Sequence, residues 1–154
     1  MEQLIALVYT SKASSTIDLQ ILKDILKISQ IRNEQNEITG FLTIRDGVFL
    51  QMIEGPQTLV MACYEKIQTD PRHSQITLQG LGQITQRALS KWSMGIIDPE
   101  KTVRSPEILS LFEAGRAGAI YTDPETLLAL LKIFTRNAVY KQEPDFDINF
   151  TLKK

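Results

Sequence analysis

The stretch from residue 38 to residue 56, ITGFLTIRDGVFLQMIEGP, constrains the fold more than any other part of the chain. Asp46-Gly47 lies between two runs rich in β-branched and aromatic residues, and this dipeptide supplies the positive φ angles that a tight hairpin needs. In the second run, period-two alternation places Phe49, Gln51 and Ile53 on one face, with Val48, Leu50, Met52 and Glu54 on the other. The sequence therefore predicts an antiparallel hairpin in which one face carries a polar amide among apolar side chains.

The amide of Gln51 needs a polar partner on that face. Leaving a buried amide group unpaired costs about 1–3 kcal/mol. Either a neighbouring protein group or a bound ligand can satisfy it, and the residues alone leave both possibilities open.

The segment before the hairpin is predicted to contain a strand and a helix. Residues 4–10, LIALVYT, are apolar on both faces, which is typical of a central strand covered on both sides, with Tyr9 on the same side as Leu7. A polar loop at 11–15 follows, and the S-x-x-D pattern of Ser15 and Asp18 marks the start of a helix that runs to about residue 30 or 32. The polar segment 32–37 then leads into the hairpin.

The segment after the hairpin is predicted to contain one helix and two strands. Pro56 occupies the first helical position, and the apolar spacing continues to about Asp70. Residues 76–86 form a strand in which Gly80 and Gly82 indicate a bulge or bend, and residues 91–97 form the last strand. The predicted fold class is α+β, with a ferredoxin-like β-α-β-β-α-β-β sheet and two helices on one face.

Two further helices are expected near the C-terminus, at 106–114 and after the cap and proline at 122–124. The second is too apolar to stand alone in water, so we expect this C-terminal helical pair to cover the other face of the sheet or to bind a partner. We predict domains at 3–98 and 99–154, the second a helical extension with a tail after residue 139. The tail is compatible with disorder and with an interaction arm.

Composition excludes several classes of function. The net charge is −1 and the basic residues are scattered, so no nucleic-acid partner is expected. No apolar run approaches the ~20 residues of a membrane span and no signal peptide pattern is present, so we expect a cytoplasmic protein without a membrane partner. The single cysteine, Cys63, is predicted to be a buried, inert thiol, and with a single histidine, His73, no metal site is expected.

Five motifs together resemble the BLUF family of blue-light sensors that hold a flavin. They are LVYTS at 7–11, Asn33 with ITG at 38–40, DGVFLQMIEG at 46–55, DPRH at 70–73 and WSMG at 92–95. They follow the family's order and spacing over about the first hundred residues. The remaining chain resembles the short members of the family, which carry two helices and a tail after the sensor.

The resemblance implies roles for individual residues. Tyr9 and Gln51 match the photoactive pair, and Trp92 and Met94 match the strand that relays the signal. The resemblance implies that FAD is the cofactor and that it is contacted by Tyr9, Ile25, Ser29, Arg32, Asn33, Phe49, Gln51, Lys66, Ile67, Asp70, Arg72 and His73. Arg32 departs from the asparagine or histidine that the family often has there. Without the resemblance, Tyr9, Trp92 and Met94 would be interpreted as ordinary core residues.

The resemblance also implies a mechanism and an output. In this mechanism Tyr9 gives the light-excited flavin an electron and then a proton through Gln51, and the radical pair recombines with the Gln51 amide rearranged by rotation or tautomerisation. The last strand and the C-terminal helices then signal to a downstream protein partner, without enzymatic activity on this chain, and we expect a homo-oligomer. A flavin-dependent redox enzyme and a non-photoactive ferredoxin-like interaction module remain as alternatives.

Overall fold

The computed structural model describes residues 2–14, 17, 19–90, 94–97 and 105–140. Along the chain these residues form β1 (Leu4–Ala13), α1 (Leu19–Gln35), β2 (Thr39–Arg45), β3 (Val48–Pro56), α2 (Gln57–Gln68), β4 (His73–Ile84), β5 (Gly95–Ile97), α3 (Pro106–Arg116), α4 (Pro124–Ala138) and β6 (Val139–Tyr140). The elements up to β5 follow the predicted order, which confirms the ferredoxin-like α+β fold. None of the helices in these ranges is long and apolar enough to cross a bilayer.

The strands form one sheet in the order β4-β1-β3-β2-β5-β6. β1 pairs antiparallel with both β3 and β4, while β5 runs parallel to β2. The predicted hairpin turn is confirmed, since Asp46 and Gly47 both have positive φ angles, 49° and 77°. β1 therefore lies inside the sheet, beside the strand that carries Gln51.

Two hydrophobic cores lie on opposite faces of this sheet. The first core lies under α1 and α2 and contains Ile5, Leu7, Tyr9, Leu26, Ile38, Leu42, Phe49, Ile53, Val60, Cys63, Tyr64 and Met94. The second core lies under α3 and α4 and contains Ala6, Val8, Phe41, Val48, Leu50, Met52, Leu89, Ile108, Leu111, Phe112, Leu127 and Leu131. The predicted alternation of β1 and β3 is confirmed, and the C-terminal helices cover the second face of the sheet.

The glycines of β4 have a packing role. A Cβ atom on Gly80 would lie 2.8 Å from Leu127 Cδ2, and one on Gly82 would lie 3.4 Å from Leu128 Cδ1. Glycine at these positions lets α4 approach the sheet closely. The predicted bulge is confirmed, because the register between β1 and β4 shifts between Val8 and Tyr9. The strand runs from His73 to Ile84, however, rather than over 76–86.

Two predicted boundaries before the hairpin are wrong. β1 continues through Ala13, where a polar loop was expected, because residues 11 and 12 still pair with β3. α1 continues to Gln35, so Arg32 and Asn33 belong to the helix rather than to a connecting segment. The helix was predicted too short because its last residues are polar: Arg32 and Asn33 line a cavity and Glu34 and Gln35 are exposed, and hydropathy does not distinguish such a helix end from a loop.

The start of α2 also differs from the prediction. Pro56 is the residue before the helix, with a ψ angle of 135°, and Gln57 is the first helical residue. A ψ angle in the extended range keeps Pro56 in β3, where it pairs with Leu4. The strand and the helix therefore follow one another without a loop.

A buried carboxylate ties the segment after β4 to the sheet. Glu54 is fully buried on the second-core side of β3. Its Oε1 accepts hydrogen bonds from Thr39 Oγ1 (3.0 Å) and the Leu89 amide (2.6 Å), and its Oε2 accepts one from the Ala88 amide (2.9 Å). This side chain therefore fixes the chain shortly before Met94.

Candidate functional site

A cavity opens between α1 and α2, with β1 and β3 as its floor. It encloses about 690 Å³ of space, including open solvent at its mouth. It is lined by Tyr9, Ile25, Ile28, Ser29, Arg32, Asn33, Leu42, Phe49, Gln51, Cys63, Lys66, Ile67, Asp70, Arg72, His73 and Met94. Every residue predicted from the resemblance to contact a flavin is in this set. Trp92 lies outside the described residues.

Tyr9 and Gln51 meet on the cavity floor. They are directly opposite each other in the register of β1 and β3, and both side chains are buried. The Tyr9 hydroxyl donates a hydrogen bond to Gln51 Oε1. Burial raises the pKa of Tyr9 well above its ordinary value, with smaller contributions from the nearby Cys63, Tyr64 and Asp70. The phenol is therefore neutral and holds its proton in the bond to Gln51.

The other end of the Gln51 amide faces Met94. Gln51 Nε2 donates to Met94 Sδ at 3.6 Å, and Gln30 Nε2 donates to the Met94 carbonyl oxygen at 3.3 Å. A thioether sulfur accepts hydrogen bonds but has no hydrogen to donate. Met94 therefore favours the amide orientation in which Nε2 points toward it and Oε1 points toward Tyr9. Protein groups thus satisfy both ends of the amide.

His73 is held between two fixed partners at the edge of the cavity. Its Nε2 lies 2.6 Å from the Ile67 carbonyl oxygen, which can only accept, so Nε2 carries the hydrogen. In the neutral ring Nδ1 then accepts from Ser11 Oγ, 2.8 Å away. The ring lies edge-on to Tyr9, with 6.1 Å between the ring centroids. These contacts fix the orientation of the imidazole beside Tyr9.

An ion pair lies at the cavity wall after α2. Arg72 Nε contacts both carboxylate oxygens of Asp70 at 3.0 Å, and its Nη2 lies 2.5 Å from Oδ2. The hydrogen bonds from Arg72 hold the pKa of Asp70 below its ordinary value. They likewise raise the pKa of Arg72. Arg32 and the exposed Lys66 add two further cationic side chains to the lining.

Sequence reasoning missed several cavity residues. Ile28, Leu42 and Cys63 line the cavity, and Ser11 supports it through His73. Cys63 is buried as predicted, and burial raises the pKa of its thiol. Helical spacing was the available signal, because Cys63 lies three and four positions before Lys66 and Ile67 on one face of α2.

The comparison with protein families decides the identity of this site. The family model for BLUF, sensors of blue light using FAD, matches residues 4–95. The chain belongs to the BLUF family. The five motifs and the cavity that gathers them are therefore those of a flavin-binding, blue-light-sensing domain.

Relatives show how this domain is used elsewhere. The photoactivated adenylate cyclase subunit beta of Euglena gracilis is 31% identical over 106 residues, which are 68% of this chain and 12% of that protein. The blue light- and temperature-regulated antirepressor BluF of Escherichia coli (strain K12) is 26% identical over 147 residues, 94% of this chain and 36% of that protein. The chain thus spans about a tenth to a third of the length of these two relatives. One of these relatives is thus named as a photoactivated enzyme subunit and the other as a light-regulated antirepressor.

A solved structure matches over nearly its whole length. The dark-state structure of the BLUF protein BlrB has a TM-score of 0.70 and 29% identity, and the match covers 88% of this chain and 98% of that one. Of the three functions that the sequence left open, family membership and this match support a sensory module rather than a redox enzyme or a non-photoactive module.

Proposed function

We propose that residues 3–98 hold FAD in the cavity, that Tyr9 and Gln51 are its photoactive pair, and that residues 99–154 carry the output to a protein partner. The proposal rests above all on the buried hydrogen bond from the Tyr9 hydroxyl to Gln51 Oε1 on the cavity floor. This bond gives a proton of the phenol a defined acceptor within the cavity.

The lining of the cavity suits a flavin. Ile25 and Ile67 bring apolar side chains from opposite helices, as packing against the two faces of a flat ring requires. Asn33 is only 2% exposed and brings an amide to the wall, where it can hydrogen-bond to heteroatoms at a ring edge. The positive charges of Arg32 and Lys66 suit the phosphates of a nucleotide, which with the family description supports FAD.

Tyr9 and Gln51 are arranged for coupled electron and proton movement. A bound flavin would supply the absorption of blue light and would take an electron and a proton from Tyr9 in its excited state, and both would return to Tyr9 when the pair recombines. A phenol that loses an electron becomes strongly acidic, so the Tyr9 proton leaves along the bond that it already makes to Gln51 Oε1. Before excitation, the raised pKa of Tyr9 keeps that proton on the phenol.

The Gln51 amide then serves as the switch. An amide carries donors and an acceptor on opposite sides of one rotatable bond, so rotation or tautomerisation changes its hydrogen bonds within the same volume. Rotation would turn Oε1 toward Met94 Sδ, which cannot donate, and the present contact to Met94 would be lost. The rearrangement therefore changes what Met94, directly before β5, can bind.

The output requires only a small coupling energy. A ten- to hundredfold change in affinity for a partner corresponds to about 1.4–2.8 kcal/mol, which one or two rearranged buried hydrogen bonds can supply. The names of the antirepressor and cyclase relatives support a protein partner that responds to light. The cytoplasmic location and the homo-oligomer expected from the sequence stay predictions.

Absorption spectroscopy tests the proposal. The purified protein is measured in the dark, directly after blue light, and after a second dark interval, and the cofactor released by heat is identified by mass spectrometry. A flavin spectrum that moves to longer wavelength without bleaching and then returns is expected, with FAD as the released cofactor. A flavin that does not shift, or bleaches only with an added electron donor, would contradict the photoswitch.

A further inference from the structure

A second buried glutamine lies on the opposite side of β1 from Gln51. Gln79 is 2% exposed. In the pairing of β4 with β1, Gly80 lies opposite Val8 and Leu78 lies opposite Tyr9, so no residue of β1 lies opposite Gln79. Gln79 is thus the extra residue of a β-bulge beside Tyr9. The bulge turns its side chain toward the second core, away from the cavity.

The Gln79 amide connects β1 to the loop between α3 and α4. Its Nε2 donates to Thr10 Oγ1 at 3.1 Å and to the Ala119 carbonyl oxygen at 2.9 Å. Its Oε1 accepts from the Tyr121 amide at 3.0 Å. Both amide hydrogens are therefore used, one on the sheet and one on the loop, so the amide cannot follow a movement of Thr10 without disturbing its bonds to the loop.

Contacts on both faces of β1 restrain Thr10 and its two neighbours in sequence. Its neighbours in sequence, Tyr9 and Ser11, both bond to residues of the cavity, Gln51 and His73. On the other face, a Cβ atom on Gly115 of α3 would lie 2.4 Å from Thr10 Oγ1, so the helix backbone packs directly on this side chain. A shift of β1 at residues 9–11 would therefore directly displace α3, which packs on Thr10, and the loop, which is bonded to it through Gln79.

We infer that Gln79 is a relay residue that passes light-driven changes at Tyr9, through Thr10, to the loop of residues 119–121. This inference rests on the proposed photochemistry of Tyr9 and Gln51. It adds a route through β1 and β4 to the route through Met94 and β5. The relay changes the order of the loop, and Gln79 takes no part in the photochemistry itself.

Hydrogen exchange in the dark and under blue light tests the relay in the full chain with its flavin. Exchange of the 119–121 backbone amides is followed by mass spectrometry, and the absorption shift is recorded in the same samples. In the wild type, we expect the absorption shift together with a light-dependent change in exchange of this loop. Thr10→Val removes the Oγ1 acceptor at nearly constant shape, so it should keep the absorption shift and lose the light-dependent exchange difference.

Three further variants make the result specific. Thr10→Ser keeps the hydroxyl and should restore the difference. Thr43→Val makes the same change at another buried threonine on the second-core side of the sheet, and should leave the difference intact. Gln79→Met removes both bonds to the loop, including the acceptor of the Tyr121 amide, so this amide should exchange at least about tenfold faster already in the dark.

The outcomes separate the relay from the photochemistry. No absorption shift in the wild type would overturn the proposed function and the relay with it. A normal shift without a light-dependent change at 119–121, or with a change that persists in Thr10→Val, would overturn the relay alone. Loss of the difference in Thr43→Val as well would also overturn it, because the effect would then not depend on the bond to Gln79.

Discussion

Replacing the buried carboxylate of Glu54 is the sharpest test of how the segment after β4 is held. Glu54→Gln keeps the shape of the side chain and an oxygen in the Oε1 position, which accepts from Leu89 and Thr39. The new NH₂ group faces the Ala88 amide, which then has no acceptor. Losing one hydrogen bond to a charged group should lower the free energy of unfolding by about 1.5–3 kcal/mol.

Glu54→Ala removes all three acceptor contacts at once. The two backbone amides of Ala88 and Leu89 lose their acceptor, at about 1–3 kcal/mol for each buried donor, while the Thr39 hydroxyl can still accept from Arg87 Nη1. Two such donors give an expected loss of about 2–6 kcal/mol. Because a domain of this size is stable by about 5–15 kcal/mol, this variant should be only marginally folded.

Urea unfolding followed by circular dichroism measures both effects, with the midpoints compared at a constant slope. Glu65→Gln, the same change at an exposed position of α2, is the matched control and should leave the midpoint unchanged. If Glu54→Gln unfolds at the same urea concentration as Glu65→Gln, the carboxylate does not hold this segment and the reasoning fails.

Four other changes give direct expectations. Tyr9→Phe should bind flavin but not photoconvert, and a normal yield of the shifted spectrum would exclude Tyr9 as the electron donor. Gln51→Leu should keep the flavin and lose the spectral shift, whereas a retained shift would remove the amide from the mechanism. Gly115→Ala brings a Cβ within 2.4 Å of Thr10 Oγ1 and should lower the free energy of unfolding by about 1–3 kcal/mol in urea, unless α3 moves away without cost. Because its pKa is lower in the folded state, ionised Asp70 stabilises the protein above the ordinary aspartate pKa of 3.8, and this contribution disappears as pH falls through the lower folded value. The difference in Tm between wild type and Asp70→Asn should therefore be present at pH 7 and vanish in strong acid; a constant difference would contradict the ion pair's role.

Period-two alternation was sufficient to predict which side chains share a face. In β3, Gln51 and Ile53 face the first core and Leu50 and Met52 the second, as expected from sequence alone. Strand geometry leaves no other choice once the hairpin turn is located, because successive side chains point in opposite directions. The meeting of Tyr9 with Gln51 then followed from placing β1 beside β3.

Side-chain contacts that depend on how distant strands pair could not be predicted from the sequence. The bond between Ser11 and His73 joins residues 62 positions apart, and it depends on β1 extending beyond its apolar run. Gln79 reads as an ordinary polar strand residue, because the bulge that buries it is defined by its register with β1. Asn33 was assigned its place only by resemblance, since a polar residue facing a cavity has the same hydropathy as one facing water.

The partition of β1 between two cores also limits how such a chain can evolve. Inserting or deleting one residue within β1 would send Tyr9 to the second core, under α3 and α4, and bring Thr10 to the cavity, exchanging the two surroundings in a single step. Substitutions can accumulate gradually there, but changes of length cannot. Natural variation in length should therefore concentrate between the elements, and loop grafts or fusion junctions placed there should leave the photosensor intact.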